Sequence, residues 1–385
     1  MISLDLHRYD AIKEKYFDKV YDSLKDIPDY SMYHVSNDNL FIRELVYTLY
    51  KCDLIKWLVN KNNDIFDLRS CNAHDVDKFD DDKLKAAVRA LVLADVPVMR
   101  ETAEAFVKKG AAYDELCKYH RLKNKRKTSK TPLEEACELK LKDKYGFLIY
   151  FAGRSYEKMR QQKIDPGNGV LTELPKCIVN ALGIRTCPYC NRGYIGVSKG
   201  RLLGVQLDHF YNRNKYPFLA VSLYNLVPCC GVCNLIKRDA VKEIISPYEC
   251  DADFDSAFHF TYEIPKTDIV NPNGGKRRLD IKVEDPSSEN GKRYTNNIEL
   301  FRLKEAYAFQ EQEAERFYEK MIAYPESRLQ EIEKHFKDNS DNSVTVADLE
   351  EALFREYFTE PSDYTQKPMA KFYRDLYYNI KGWKQ

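Results

Sequence analysis

Several features that would place a chain in a class at once are missing here. The 385 residues hold no apolar run of about 18, the length a membrane-spanning helix needs. The opening M-I-S-L-D-L-H-R-Y-D has no apolar core of the kind a secretory leader carries, so a cytoplasmic location and no membrane partner are expected. No G-x-x-x-x-G-K-S/T phosphate loop occurs, so any ATPase working with this chain is a separate subunit. Internal repeats and long low-complexity tracts are absent. The Asp-rich stretch H-D-V-D-K-F-D-D-D (74–82) lacks the glycine and closing glutamate of an EF-hand and reads as a polar connector. Net charge is only +1, which at first argues against a polyanionic partner.

The apolar content of 44% supplies real cores, and 31% charged residues keep the surface wet. The length suits two or three domains. The near-zero net charge hides segregation. Residues 185–240 carry eight Lys or Arg against two Asp, and residues 118–130 (K-Y-H-R-L-K-N-K-R-K-T-S-K) carry seven basic residues and no acid. Two basic islands in an acidic body can focus a nucleic acid onto particular sites. Eleven cysteines in a cytosolic chain are not expected to form disulfides. Six are scattered (Cys52, Cys71, Cys117, Cys137, Cys177, Cys250), and five fall between Cys187 and Cys233.

Residues 1–180 read as mainly helical. Lys83–Asp95 has apolar positions at helical spacing, and Thr131-Pro132-Leu133-Glu134 is a capping box that opens a helix reaching about Phe151. Glycines and short β-branched runs around Ser198-Lys199-Gly200-Arg201 predict a hairpin. A small β-containing excursion is expected over 251–290, with strands near Phe258–Ile264 and Leu279–Val283. A helical region follows over 291–385, including a capped start at Thr345. The fold class expected is α+β, predominantly helical. Most of the 28 tyrosines are read as packing.

The stretch T-C-P-Y-C-N-R-G (186–193) admits two chemistries. Cys187 and Cys190 have the spacing of a redox dithiol, but that chemistry wants a helix after the first cysteine. Here a Gly-rich, β-branched segment follows. A second pair, Cys230-Gly231-Val232-Cys233, supplies the other half of a tetrahedral zinc site. Cys229 also competes for the third ligand position. The two-residue spacer favours Cys230, with Cys250 in reserve.

Between the pairs an apolar strand delivers Asp208-His209 to its end, Asn225 follows in a loop, and Cys233-Asn234-Leu235-Ile236-Lys237 opens a helix. The order C-P-Y-C, L-D-H-F-Y, Y-N-L-V-P-C-C, C-N-L-I-K resembles the HNH endonuclease family over roughly residues 185–240. The resemblance implies a central zinc-stapled ββα-metal unit within 181–250. It implies His209 as general base, Asp208 and Asn234 as ligands of a catalytic Mg²⁺ or Mn²⁺, and Asn225 as the residue that fixes the loop and orients His209. It makes Arg213, Lys215 and Lys237 candidates for phosphate contact. The third family position is often His, and this chain has Asn234 there. The layout also resembles larger HNH proteins of anti-phage systems, such as Septu-type and retron-associated nucleases, which implies an effector acting on DNA, or on RNA, beside a separate ATPase. The alternative expectation is a zinc-stabilised nucleic-acid-binding or complex-assembly module without catalysis; a redox enzyme ranks third.

Overall fold

A computed structural model describes residues 1–27, 39–59, 66–108, 111–238, 242–249, 253–263, 278–339, 344–354 and 359–382. The chain divides into two units, which interleave along the sequence. An N-terminal unit comprises Asp5–Gly183 and Val197–Pro228; a C-terminal unit comprises Met1–Leu4, Ile184–Gly196 and Cys229–Gln385. The architecture is α+β and mostly helical, with small two-stranded sheets. Among the described residues no helix is long and apolar enough to cross a membrane.

The N-terminal unit contains α1 (Lys13–Lys25), α2 (Leu40–Lys51), α3 (Ile55–Leu58), α4 (Asp81–Val92), α5 (Val96–Lys108), α6 (Ala111–Asn124), α7 (Pro132–Gln161) and α8 (Leu174–Leu182). β1 (Lys163–Ile164) and β2 (Thr172–Glu173) form a short antiparallel pair before α8. The Asp-rich connector turns out to be capping material. Asn72 and Asp75 cap a 3-10 turn reciprocally, and the Asp80 side chain accepts from Lys83 N to start α4. α4 then buries Leu84, Ala87, Val88, Leu91 and Val92, one face at helical spacing.

α7 opens as expected, with reciprocal bonds between Thr131 and Glu134 and Pro132 at its first position. It continues ten residues beyond Phe151 because it is kinked at Tyr145 (φ −114°, ψ 15°). Glu115 of α6 holds the kink by accepting from Lys144 Nζ and from the Tyr145 hydroxyl. Beyond it, Phe147, Leu148, Phe151, Ala152, Ser155 and Met159 bury one face. α8 stops at Gly183, whose φ of 61° lies in the left-handed region. A Cβ there would also sit 2.9 Å from Arg8 Nη1, which donates to Leu182 O.

The predicted hairpin is β3 (Gly196–Ser198) paired with β4 (Arg201–Leu203). Lys199 (φ 48°) and Gly200 (φ 70°) are both left-handed, the turn that matches strand twist. β5 (Val205–His209) pairs with β6 (Leu226–Cys230). The loop between them is tied to the helices: Tyr16 of α1 donates to Val221 O at 2.8 Å, and Ser222 donates to Leu91 O of α4 at 2.8 Å.

The C-terminal unit holds α9 (Gly231–Lys237), α10 (Phe254–Ala257), α11 (Glu289–Leu300), α12 (Leu303–Ala308), α13 (Glu311–Ala323), α14 (Glu326–Asn339), α15 (Val346–Phe354) and α16 (Ala370–Gly382). β7 (Phe258–Glu263) runs antiparallel to β8 (Arg278–Val283), with Phe260 opposite Ile281. The N-P-N-G-G turn and Ile264 lie outside the described residues. The free backbone edge of β7 is closed by α16: Asp375 accepts from Phe260 N and Asn379 from Tyr262 N. Phe260, Tyr307 and Phe372 pack beneath, with centroids 4.4 to 5.5 Å apart. Lys371, 1% exposed, is paired with Asp375 at 3.2 Å. Thr345 and Asp348 bond each other across the start of α15, the expected capped start.

Candidate functional site

The first cysteine pair sits in a tight turn. Cys187 N donates to Gly193 O at 3.0 Å and Asn191 N donates to Cys187 O at 2.8 Å. Asn191 then takes a left-handed φ of 51°, and no helix follows. The helix that would activate a redox dithiol is missing. The second pair is built differently: Cys230 is the N-cap of α9, and its sulfur accepts from Cys233 N at 3.5 Å.

The two turns converge. Ligand atoms of Cys187, Cys190, Cys230 and Cys233 all lie within 4.8 Å of one another. A tetrahedral ion with Zn–S bonds of about 2.3 Å has sulfur–sulfur edges of roughly 3.8 Å, so the cluster has the right size for one ion. The Cys190–Cys230 edge is 4.0 Å. Backbone amides point at the sulfurs as thiolates require: Cys230 N to Cys187 at 3.3 Å and Arg192 N to Cys190 at 3.4 Å. Hydrogen bonds from the other cysteines, Cys187 foremost, hold Cys190 far below the ordinary thiol value; those with Cys187 and Cys233, opposed by Cys190, bring Cys230 to about 7. Burial pushes Cys187 well up, and hydrogen bonding with Cys187 raises Cys233. Four sulfurs this close, those of Cys187, Cys190 and Cys233 on buried residues and that of Cys230 on a half-buried one, can all ionise only around a cation, so the cluster could bind a metal such as zinc. Cys229 is fully buried but outside the group; Cys250 lies outside the described residues.

The first turn is anchored within its own unit. Asn191 Nδ2 donates to Tyr364 O, its Oδ1 accepts from Lys371 N, and Thr186 Oγ1 donates to Tyr364 O at 2.6 Å. The Tyr307 hydroxyl donates to Cys190 O, while the Arg192 guanidinium lies 5.6 Å from the Tyr307 ring centroid.

Asp208, His209 and Asn225 belong to the N-terminal unit, and Asn234, beside Cys233 on α9, to the C-terminal unit. Asp208 is buried (5% exposed) and His209 half-buried, on alternate faces of the end of β5. The ladder continues one step past His209, Phe210 N donating to Asn225 O at 2.8 Å. Asn225 is fully buried. Its Oδ1 accepts from Tyr211 N at 2.7 Å, and its Nδ2 donates to Tyr211 O and Leu219 O. It therefore clamps both ends of the loop after His209.

His209 Nε2 bonds Ala220 O at 2.9 Å. A carbonyl only accepts, so Nε2 carries the proton and the neutral ring keeps its basic lone pair on Nδ1. The ring also meets Tyr156 edge-on, centroids 4.6 Å apart. Arg213 lies 5.1 Å and Arg160 5.9 Å from the same Tyr156 ring centroid. Burial raises the Tyr156 hydroxyl above its ordinary value. Tyr156 and Arg160 on α7 carried no signal in the sequence that tied them to His209. Lys215 is half-buried in the loop after Arg213. Lys237 closes α9 and is 5% exposed. Comparison of the chain with protein-family models, with curated proteins and with solved structures found no match.

Proposed function

We propose that this chain is a metal-dependent endonuclease of the HNH type that hydrolyses phosphodiester bonds, DNA being the favoured substrate. The observation that carries the reading is His209. It stands at a strand end with Nε2 committed to Ala220 O, beside a loop locked by a buried Asn225. That arrangement fixes the tautomer a general base needs. His209 Nδ1 takes the proton of the attacking water as its oxygen bonds to phosphorus and the phosphorus–oxygen bond to the leaving nucleoside breaks, the leaving oxygen taking a proton from solvent. Asp208 supplies a hard oxygen donor for a divalent cation such as Mg²⁺ or Mn²⁺. When bound, such a cation neutralises charge growing on the phosphate and the leaving oxygen. Arg213, stacked near Tyr156, and Lys215 offer cationic contacts to neighbouring phosphates. The same proposal includes a ββα-metal unit made of β5, β6 and α9 and Asn234 as a further oxygen ligand; both rest on sequence order. It also includes structural zinc at the four cysteines.

Purified protein with Mg²⁺ or Mn²⁺ is expected to cut plasmid or single-stranded DNA, and His209→Ala to abolish cutting while melting like the wild type. Equal cutting by both proteins sinks the proposal. The resemblance to anti-phage nucleases adds an effector role beside a separate ATPase, tested by co-purification with products of neighbouring genes. A second reading is favoured by the completeness of the four-thiol cluster: a zinc-stabilised binding or assembly module. It predicts nucleic-acid retention with no cleavage under any divalent metal.

A further inference from the structure

The basic stretch 118–130 has no part in the site described so far. Two of its lysines are neutralised on α7: Lys125 by Glu134 at 2.8 Å and Lys130 by Glu138 at 2.6 Å. His120 and Lys123 instead line a cavity of about 190 Å³ between α6, α7 and the loop after β5. Lys123 has no carboxylate partner among the described residues. Arg213 and Asn214 enter the same cavity from the loop, no carboxylate among the described residues lines it, and Leu116 and Ile149 form an apolar wall. The dipole of α6 accounts for basic residues in its last turn. It does not account for Arg213 arriving at the same place from another segment.

Gly153 lines the cavity from the middle of α7. Glycine weakens a helix interior, and here a Cβ would meet nothing within 4 Å, so packing does not demand it. Its missing side chain keeps the cavity wall open. An apolar wall beside a cationic, acid-free rim matches the two halves of a nucleotide.

We propose that this cavity seats one nucleotide unit, its phosphate among Lys123, His120 and Arg213 and its sugar or base against Leu116 and Ile149. Arg213 also stacks on Tyr156, the ring that meets His209, so the seated unit is assigned to a substrate strand; that assignment rests on the nuclease proposal. A free nucleoside monophosphate offers the same chemistry.

The test measures binding in the full-length His209→Ala background, so that cleavage does not enter. The probes are a labelled single-stranded oligonucleotide, a nucleoside monophosphate and the matching unphosphorylated nucleoside. Lys123→Ala is expected to weaken binding about tenfold, the scale of one charge-assisted hydrogen bond, and to lower the salt slope by about one counterion. Gly153→Leu, which fills the cavity, is expected to weaken it at least about tenfold with an unchanged melting temperature. The nucleoside should not bind. Loss confined to the oligonucleotide identifies a strand as the source; loss confined to the monophosphate identifies a free nucleotide. Either supports the pocket. If neither substitution changes the binding of any probe, or no probe binds, the pocket is overturned; should Gly153→Leu misfold, Lys123→Ala decides alone. A protein that never cuts DNA but whose binding responds to these substitutions sinks the nuclease proposal and leaves the pocket standing.

Discussion

The four-cysteine cluster and the end of β5 are held in place by different means. The cysteines are positioned largely by their own turns: the backbone amides of Cys230, Cys233 and Arg192 point at sulfurs within the same two short segments. His209 has no such local frame. Its ring is set by Ala220, by Asn225 clamping the loop, and by a loop tied through Val221 O to Tyr16 and through the Ser222 hydroxyl to Leu91, residues from distant helices. The cysteine frame would lean on any ion its sulfurs hold and, in its first turn, on the bonds of Thr186 and Asn191 to Tyr364 and Lys371. A site assembled from long-range contacts tolerates loss of the ion but depends on the stability of the helices around it.

The largest effect should come from breaking the local frame. Cys187→Ser or Cys233→Ser is expected to reduce metal content from about one ion per chain to near zero by elemental analysis. The C-terminal unit should lose several kcal/mol, a fraction of the roughly 10 kcal/mol that structural zinc contributes in small domains. A variant that melts like the wild type contradicts the role of the cluster. Next, His209→Ala should lower the cleavage rate by about 10²–10⁴-fold, the usual worth of a positioned base, with no change in metal content. Asn225→Ala removes the three hydrogen bonds of a buried side chain and leaves Tyr211 N, Tyr211 O and Leu219 O without that partner. It should cost about 2–4 kcal/mol in the N-terminal unit by urea denaturation while the metal content stays intact.

The smallest effect tests the charged cluster on α16. The Asp375 carboxylate raises the pKa of His259, opposed by burial and by Lys371 and helped by Glu284. A raised folded value stabilises the protein fully below the ordinary imidazole pKa and loses that contribution as pH climbs through the folded value. Wild type should therefore lose stability relative to His259→Gln as pH rises from the ordinary imidazole value of 6.5 through the raised folded value. The side chain is 38% exposed, so the difference should stay below about 1 kcal/mol. Parallel pH profiles for the two proteins would show the pair to be inert.

The same contrast explains what could be read in the sequence. The cysteine spacing, the capping boxes at Thr131 and Thr345 and the Lys199-Gly200 turn are local chemistry, and each is present as expected. The choice of Cys230 over Cys229 followed from spacer length alone, and Cys230 lies in the cluster. The end of α7 was not legible, because the kink at Tyr145 re-aims its apolar face and carries the helix on to Gln161. Nor was the contact of Tyr156 with His209, which depends on how α7 packs beside a strand formed much later in the chain. The burial of Lys237 also depends on packing: the motif makes it a candidate for phosphate contact, and at the end of α9 it is only 5% exposed.

The hooks of Thr186 and Asn191 onto Tyr364 and Lys371 have a consequence for synthesis. Domains emerging from the ribosome tend to fold in order, N-terminal first. Every segment of the N-terminal unit has been made once Pro228 is added. The turn bearing Cys187 and Cys190 cannot reach its final anchors until the start of α16 has been translated. During that interval a nascent chain can close its four thiols around an ion as soon as Cys233 emerges, well before the rest of that unit exists to hold them. An ion held there would then be captured before α16 docks.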